Sequence, residues 1–499
     1  MGACSGAPRV TRRRRFLSNG VRPAVGWRGV RGGGGGFGAR RCPAAGVEHR
    51  GSVMGTQQAG DAFLRNLDGL RGHTVASRPS WLGELRGAAL GRFTRLGFPT
   101  TRQEEWRFTD LSRMLSIRFE PACGGASDGL ASEAWALVHA LPGPRVVLVD
   151  GHFRADLSVT AAGRGIVVDS LCRVLRDSPG LLAPHLAHYA PWREHPFVAL
   201  NTGLATEGVF VQLAAGAVQE EPVHLVHLWT AAGKARVAHP RALILAEPNS
   251  RAAIVESYWG SHGSVSLTNA VTEIVVGRGA VLEHAKLQEE GDEAFHMATV
   301  QVHQQSRSSF TSHVVFLGGS LARNEINIRL EGRRCRCTLN GLYWARGRQH
   351  MDLRTRIDHA QPACASEELY KGILDERARG VFNGKIYVHR AAQQTDAKQT
   401  NRALVLSDQA RVNTKPQLEI FADDVRCTHG ATVGQIEPEA MFYLRSRGIA
   451  ERRARQLLIW AFANDVVGRI GLAPLRTAVE QLLTAGDGLS VGPVAGRLP

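Results

Sequence analysis

A cysteine and a histidine two residues apart form the strongest metal-ligand pattern in this 499-residue chain. They are Cys427 and His429, within the segment DDVRCTHG at 423–430. On a β-strand, residues at i and i+2 point to the same face, so both side chains could reach one metal ion. Iron and zinc in proteins usually take about four ligands. The pair is therefore at most half a metal site, and the alternative is a buried thiol beside a hydrogen-bonded histidine.

Other candidate side chains give weaker signals. Cys335 and Cys337 repeat the two-residue spacing, while 350–352 (HMD) and 358–359 (DH) pair imidazole with carboxylate, for which we favour a structural role. The eight cysteines are scattered and include no C-x-x-C pair. This argues for free thiols and against a zinc ribbon, a ferredoxin-type cluster or a thioredoxin site.

Several common catalytic motifs are absent. The sequence contains no phosphate-binding loop of the type G-x-x-x-x-G-K-[ST], no G-x-S-x-G, no H-E-x-x-H and no dinucleotide fingerprint. ATP hydrolysis by this chain, and the commoner serine hydrolase and zinc protease functions, therefore have no support.

The predicted secondary structure that must position these residues changes along the chain. Residues 53–195 form a helical and then mixed region, with one clear apolar strand at 146–149. Residues 196–437 contain many short apolar runs separated by Gly, Asn, Asp or Pro, which predict one large β domain of the sandwich, barrel or solenoid type. Residues 438–499 return to helical spacing, and their apolar stripes could pack on the β domain or bind a partner.

The positive charge is concentrated at the start of the chain. The net charge is +16, yet residues 1–52 hold eleven arginines, no lysine and only Glu48 as an acid. This composition predicts an organelle transit peptide at 1–52. A mistranslated upstream extension before Met54 and a basic nucleic-acid arm are the alternatives. The remainder is only mildly basic and lacks an apolar run of about 18 residues, so we expect neither a nucleic-acid partner nor a membrane partner.

Several segments, taken in their order along the chain, resemble the SufB/SufD family of iron-sulfur cluster assembly proteins. They are 102–109 (RQEEWRFT), 368–374 (ELYKGIL), 382–386 (FNGKI) and 394–399 (QTDAKQ), and the resemblance is strongest over 340–467. Segments 404–408 (LVLSD), 427–435 (CTHGATVGQ) and 442–449 (FYLRSRGI) are similar to the SufD pattern. Ala410 stands where SufB proteins place an essential cysteine, which favours the SufD side of the family.

The resemblance implies a fold and a set of partners. The fold would be mainly β, a right-handed parallel β-helix flanked by N-terminal and C-terminal α-helical regions. The chain would be a non-catalytic scaffold subunit in a complex with a SufB paralogue and the SufC ATPase. SufC would bind the C-terminal helical region, through Phe442, Tyr443, Leu444, Arg445, Arg447 and Gly448.

The same resemblance gives the cysteine and histidine pair a role. His429 matches a family histidine at the SufB interface, and Cys427 matches a nearby cysteine, so both would bind iron or a transient iron-sulfur cluster shared with SufB. Because plastids run this pathway, the transit peptide would direct the chain to the chloroplast. The alternative function is a β-helix polysaccharide lyase or hydrolase that uses aspartates 352, 358, 396, 423 and 424.

Overall fold

The computed structural model describes residues 60, 63, 65, 79–122, 132–163, 165–230 and 233–485. The predicted transit peptide at 1–52 lies outside the described residues.

Short helices precede the β domain. They are α1 (Ser80–Leu96), α2 (Ser112–Leu115), α3 (Ser132–Ala140), α4 (Leu171–Asp177) and α5 (Pro196–Leu204), with 3-10 turns at Glu104–Trp106 and Pro179–Leu181. Helix α1 buries Leu82, Ala89 and Phe93, which recur at helical spacing. It ends at Gly97, whose φ of 65° is readily adopted only by a residue without a Cβ.

The described chain contains 22 strands. Their bounds are β1 Glu120–Pro121, β2 Arg145–Val149, β3 His152–Phe153, β4 Ala161–Gly163, β5 Ile166–Ser170, β6 Gly208–Leu213, β7 Val223–Trp229, β8 Arg236–Ala238, β9 Arg241–Ala246, β10 Arg251–Gly260, β11 Ser266–Val276, β12 Val281–Glu289, β13 Phe295–Gln304, β14 Ser309–Phe316, β15 Leu321–Leu330, β16 Arg336–Ala345, β17 His350–His359, β18 Ala365–Leu374, β19 Arg379–Val388, β20 Thr395–Val405, β21 Arg411–Ile420 and β22 Val425–Gly434.

Strands alternate between two parallel sheets. From β9 onward, odd-numbered strands stack in one sheet and even-numbered strands in the other, each hydrogen-bonded to the strand two places away in sequence. Leu321 of β15 pairs with His350 of β17, which pairs with Arg379 of β19, so each step along this ladder is one coil. This pairing is that of a parallel β-solenoid, because a sandwich built of hairpins would be antiparallel. The predicted mainly-β, β-helix core between helical regions is confirmed.

The interior of the solenoid holds the main hydrophobic core. Residues that follow the two-residue period of the strands, such as Ile326 and Ile328 of β15 and Leu353 and Ile357 of β17, are completely or almost completely buried there. Since parallel neighbours keep the same side-chain direction, each inward position forms a row that runs along the solenoid.

Three helices follow the last coil: α6 (Pro438–Ser446), α7 (Glu451–Val467) and α8 (Ala473–Ala485). Helix α7 buries Ala454, Ile459 and Ala463, the last two in a cluster shared with Leu342 and Ile373 of the β domain. The C-terminal stripe therefore packs on the chain's own solenoid. Among the described helices, none is both long and apolar enough to cross a lipid bilayer.

Candidate functional site

In the described part of the chain, β21 and β22 are the last strands of the solenoid. Each of these strands pairs on one side only, β21 with β19 and β22 with β20. Their outer edges therefore present unpaired backbone groups, which can accept another strand. Three large apolar side chains are exposed beside this edge: Ile420, Phe421 and Val433.

Strand β22 places Cys427 and His429 on the same face at this open end. Cys427 pairs in register with Ala397 and His429 with Gln399, both of β20. The Cys427 side chain is half-buried against the apolar cluster that contains Ala397, whereas His429 is exposed. The two-residue spacing on a strand was predicted, and the strand assignment is correct.

The environment of Cys427 disfavours the thiolate form of its side chain. Burial raises its pKa above the ordinary value, and the negative charge of Asp396 adds to the effect. A thiol binds metal as the thiolate, so a metal ion would have to displace this proton.

A buried polar row leads to His429. Glu368 of β18 pairs in register with Gln399, which pairs with His429, so the three residues occupy one row that continues from Leu339. Gln399 Nε2 donates a hydrogen bond of 2.8 Å to Glu368 Oε2, while the buried Gln399 Oε1 has no hydrogen-bond partner within the described residues. Burial raises the pKa of Glu368 to about 7, although its hydrogen bonds partly oppose this shift.

Sequence reasoning did not identify Glu368 and Gln399 as members of the site. Each lies a full coil of the chain away from its neighbour in the row, and only the pairing between coils brings them into register. Polar residues inside an otherwise apolar strand pattern are the one signal that could have indicated them.

The site is incomplete within this chain. Across residues 79–485, apart from the gaps given above, no group of three or more His, Cys, Asp and Glu side chains could hold a metal ion. Cys427 and His429 could therefore supply two ligands at most, as the sequence suggested, and four-fold coordination would need groups from elsewhere.

The other cysteine pair is not brought to this end. Cys335 and Cys337 are buried in the solenoid core. Cys335 Sγ donates to Gly332 O at 3.1 Å, and Cys364 Sγ of the next coil donates to the same oxygen at 3.2 Å. Burial raises the pKa of Cys337 far above its ordinary value, so this thiol behaves as a small apolar side chain.

The histidine and aspartate pairs have structural roles. Thr109 Oγ1 donates to Asp352 Oδ2 at 2.6 Å, and Arg323 and Arg354 form ion pairs with the same buried carboxylate. Asp358 pairs with Arg356 at 2.9 Å. Carboxylates neutralised in this way do not form the acid and base pair of a glycosidase, which disfavours the polysaccharide enzyme.

Helix α6 carries the residues that the resemblance assigns to partner binding. The Phe442 side chain is 74% exposed and that of Tyr443 is 57% exposed. The Arg447 guanidinium lies 5.1 Å from the Tyr443 ring centre, and Arg445 Nη1 lies 3.4 Å from Glu451 Oε2. Leu444 is half-buried, and Gly448 adopts a φ of 81° in the turn before α7.

Comparison with known proteins identifies the family. Residues 228–462 match the family described as "SUF system FeS cluster assembly, SufBD core domain", and residues 64–225 match "SufBD protein N-terminal region".

Three relatives span most of the chain. An iron-sulfur cluster assembly SufBD family protein of Synechocystis is 34% identical over 84% of this chain and 95% of its own length. The iron-sulfur cluster assembly protein SufD of Escherichia coli is 32% identical, covering 76% and 86% respectively. A protein of Arabidopsis thaliana named "Protein ABCI7, chloroplastic" is 28% identical, covering 85% and 91%. The chain belongs to the SufB/SufD family of iron-sulfur cluster assembly proteins and is SufD-like.

Proposed function

We propose that this chain is a non-catalytic scaffold subunit that assembles iron-sulfur clusters together with a SufB paralogue and the SufC ATPase. The observation that carries the proposal is the position of Cys427 and His429 on the last strand of an open-ended solenoid. There, two ligands of an incomplete set face a surface that a second chain can cover.

The open end suits a second solenoid of the same family. The unpaired edges of β21 and β22 would continue their hydrogen-bonded ladders into strands of the SufB paralogue. Ile420, Phe421 and Val433 would be buried in the same interface. The remaining ligands would then come from SufB, and iron and sulfide would be the cargo of the shared site.

An incomplete ligand set also suits the release of a product. A chain with four fixed ligands would hold the cluster as a resident cofactor, whereas separation of two half-sites lowers the ligand number at once. The raised pKa of the Cys427 thiol favours release as well, because a proton competes with the metal for the sulfur.

We place the SufC contact on α6. Its exposed Phe442 and Tyr443 offer apolar area beside Arg445 and Arg447, a combination typical of interface cores and their rims. Helix α7 is held to the solenoid by Lys371, whose Nζ lies 2.7 Å from Asp465 Oδ2 and donates to Phe462 O at 3.0 Å. A force applied to α6 by an ATPase would therefore reach the β domain through α7.

We propose a chloroplast location for the mature protein. The arginine-rich segment 1–52 and the plant relative named as chloroplastic support it. Fusion of residues 1–60 to a fluorescent protein should direct that protein into plastids. Replacing Arg12, Arg13, Arg14 and Arg15 by Ala in the fusion should reduce import, and plastid entry without residues 1–52 would contradict the proposal.

The test of the scaffold function is purification of the chain with its SufB and SufC partners, followed by iron and sulfide analysis. The double variant Cys427→Ala/His429→Ala should form the complex with normal stoichiometry but build little cluster. The matched control is Thr428→Ala, which alters the residue between them on the opposite face. Normal cluster formation by the double variant would refute the ligand role.

A further inference from the structure

A basic cleft lies where the segment after α1 meets the starts of β17, β19 and β21. It consists of two adjoining cavities of about 620 and 740 Å³. Five residues line both cavities: Phe108, Asp110, His350, Arg379 and Arg411.

Two arginines on neighbouring strands lie at the centre of the cleft and line both cavities. Arg379 begins β19 and Arg411 begins β21, and the two pair in register on neighbouring strands. Parallel neighbours lie about 4.8 Å apart, so the two side chains of like charge leave the sheet from adjacent positions. Like charges directly opposite each other in a sheet are unfavourable unless an anion neutralises them.

The described residues do not neutralise this pair. Arg379 and Arg411 have no ion pair with any acid in the described part of the chain, nor has Arg348 on the adjoining wall. Arg377 donates from Nε to the neutral Gln409 Oε1 at 2.8 Å.

The acids of the cleft are few. Together the two cavities are lined by six arginines and two aspartates, and of the arginines Arg113 already forms an ion pair with Glu293. Asp110 Oδ1 already accepts hydrogen bonds from the Ser112 backbone N–H at 2.9 Å and the Ser112 hydroxyl at 2.6 Å. Asp408 is exposed and forms no ion pair with these arginines among the described contacts. The cleft therefore retains an excess of positive charge.

We propose that this cleft binds a small molecule that carries two or more phosphate groups, held between Arg379 and Arg411. Guanidinium groups donate paired hydrogen bonds to phosphate oxygens, and two guanidinium groups from neighbouring strands can engage adjacent phosphates of one oligophosphate. Arg348 and Arg377 extend the positive wall. The cleft does not contain Cys427 or His429, although Val433 lines its second cavity and also belongs to the proposed SufB interface, so the titration below uses the chain without its partners. Binding by the isolated chain does not depend on the function proposed above.

An aromatic side chain at the rim of the cleft could distinguish a nucleotide from free pyrophosphate. Phe108 is 39% exposed and lines both cavities, so a heteroaromatic base could stack on its ring. A nucleoside diphosphate and free pyrophosphate share the required chemistry, and only the former would use Phe108.

The experiment is calorimetric titration of the full chain with pyrophosphate and, separately, with ADP, at about 0.15 M salt. We expect saturable binding at one site per chain. Arg379→Gln/Arg411→Gln should weaken it by at least about tenfold, since two charge-assisted pairs are lost. The control Arg278→Gln/Arg333→Gln removes two exposed arginines from other turns and should bind as the unmodified chain does.

Comparing the affinities for ADP and for pyrophosphate shows whether a nucleotide or the phosphates alone are recognised. Tighter binding of ADP than of pyrophosphate, with the difference lost in Phe108→Ala, indicates a nucleotide, whereas equal affinities indicate that the phosphates alone are recognised. Absence of saturable binding of either ligand would overturn the proposal. So would normal binding by the Arg379/Arg411 variant, or an equal loss in the control.

Discussion

At the scale of single residues, the buried carboxyl of Glu368 calls for a physical explanation. It is 1% exposed and hydrogen-bonded to neutral Gln399 rather than paired with a cation. Burying such a group costs stability, and an apolar residue in its place would pack as Leu339 does one coil earlier. Its bond to Gln399 Nε2 fixes the amide so that Oε1 is the atom left to accept a hydrogen bond. In the same row, His429 carries the N–H that could supply it.

Glu368→Gln should stabilise the protein at neutral and higher pH. The pKa of Glu368 is about 7 in the folded state and 4.5 as the ordinary value, so between these values the folded state keeps a proton that the unfolded state has released. Stability from this group is therefore present below pH 4.5 and is lost as the pH rises to about 7, by roughly 3 kcal/mol. Denaturant unfolding at pH 5 and pH 8 measures it. A variant whose stability falls with pH as steeply as that of the original chain would contradict this account.

Gln399→Leu should impair the site without unfolding the solenoid. Loss of the amide removes the acceptor that would orient the His429 ring and leave its other nitrogen free for metal, as is common for metal-binding histidines. The ¹⁵N chemical shifts of the His429 ring in the SufB-SufC complex report its tautomer and should change. Asn401→Leu is the matched control, because Asn401 is equally buried but pairs with Ala431. Equal effects of both variants would mean that Gln399 only fills the core.

At the scale of elements, α6 and α7 differ in how far their apolar residues are buried, a difference that sequence periodicity could not predict. The helical spacing after Pro438 predicted helices at the positions of α7 and α8, and α6 lies within the predicted C-terminal helical region, yet an apolar stripe does not show what covers it. The structure places Ile459 and Ala463 of α7 against the solenoid and leaves Phe442 and Tyr443 of α6 exposed.

Ile459→Ala and Phe442→Ala should therefore affect different properties: the first stability, the second partner binding. Ile459→Ala leaves a cavity in a buried contact and should lower the free energy of unfolding by about 2–4 kcal/mol. Phe442→Ala should change it by less than about 0.5 kcal/mol, since the side chain contacts mainly solvent, but should weaken retention of SufC. Thermal unfolding and co-purification measure the two effects. Loss of SufC from the Ile459 variant alone would contradict the assignment to α6.

For the β-strands, the sequence predicted their presence but neither their architecture nor their register. Short apolar runs separated by turn residues predicted many strands, but left sandwich, barrel and solenoid open. The coils are unequal in length, because the step from Arg379 to its partner Arg411 is longer than the step from His350 to Arg379, so no fixed motif repeats. Register, and with it the Glu368–Gln399–His429 row and the Arg379–Arg411 pair, depends on contacts between coils that the local pattern does not encode.

At the scale of the whole molecule, the solenoid is protected at one end and open at the other. Its earlier coils pack against α1 and α5. In contrast, β21 and β22 end the ladders with half-exposed and exposed residues. An uncovered edge of this length invites pairing with another chain.

Hydrogen exchange should show this asymmetry. In the isolated chain, amides of β21 and β22 that point to the open edge should exchange much faster than those of β15 and β16, which pair on both sides. Complex formation with SufB should slow exchange in β21 and β22 and leave β15 and β16 unchanged. Protection confined to any other strand would place the interface elsewhere.

The most direct test of the shared site is pulsed electron paramagnetic resonance on the reduced cluster of the assembled complex, with ¹⁵N-histidine incorporated into this chain alone. We expect a ¹⁵N coupling to the cluster that disappears in His429→Ala and persists in Thr428→Ala. A cluster of normal yield that shows no ¹⁵N coupling, or a coupling that survives in His429→Ala, would contradict the assignment of His429 as a ligand.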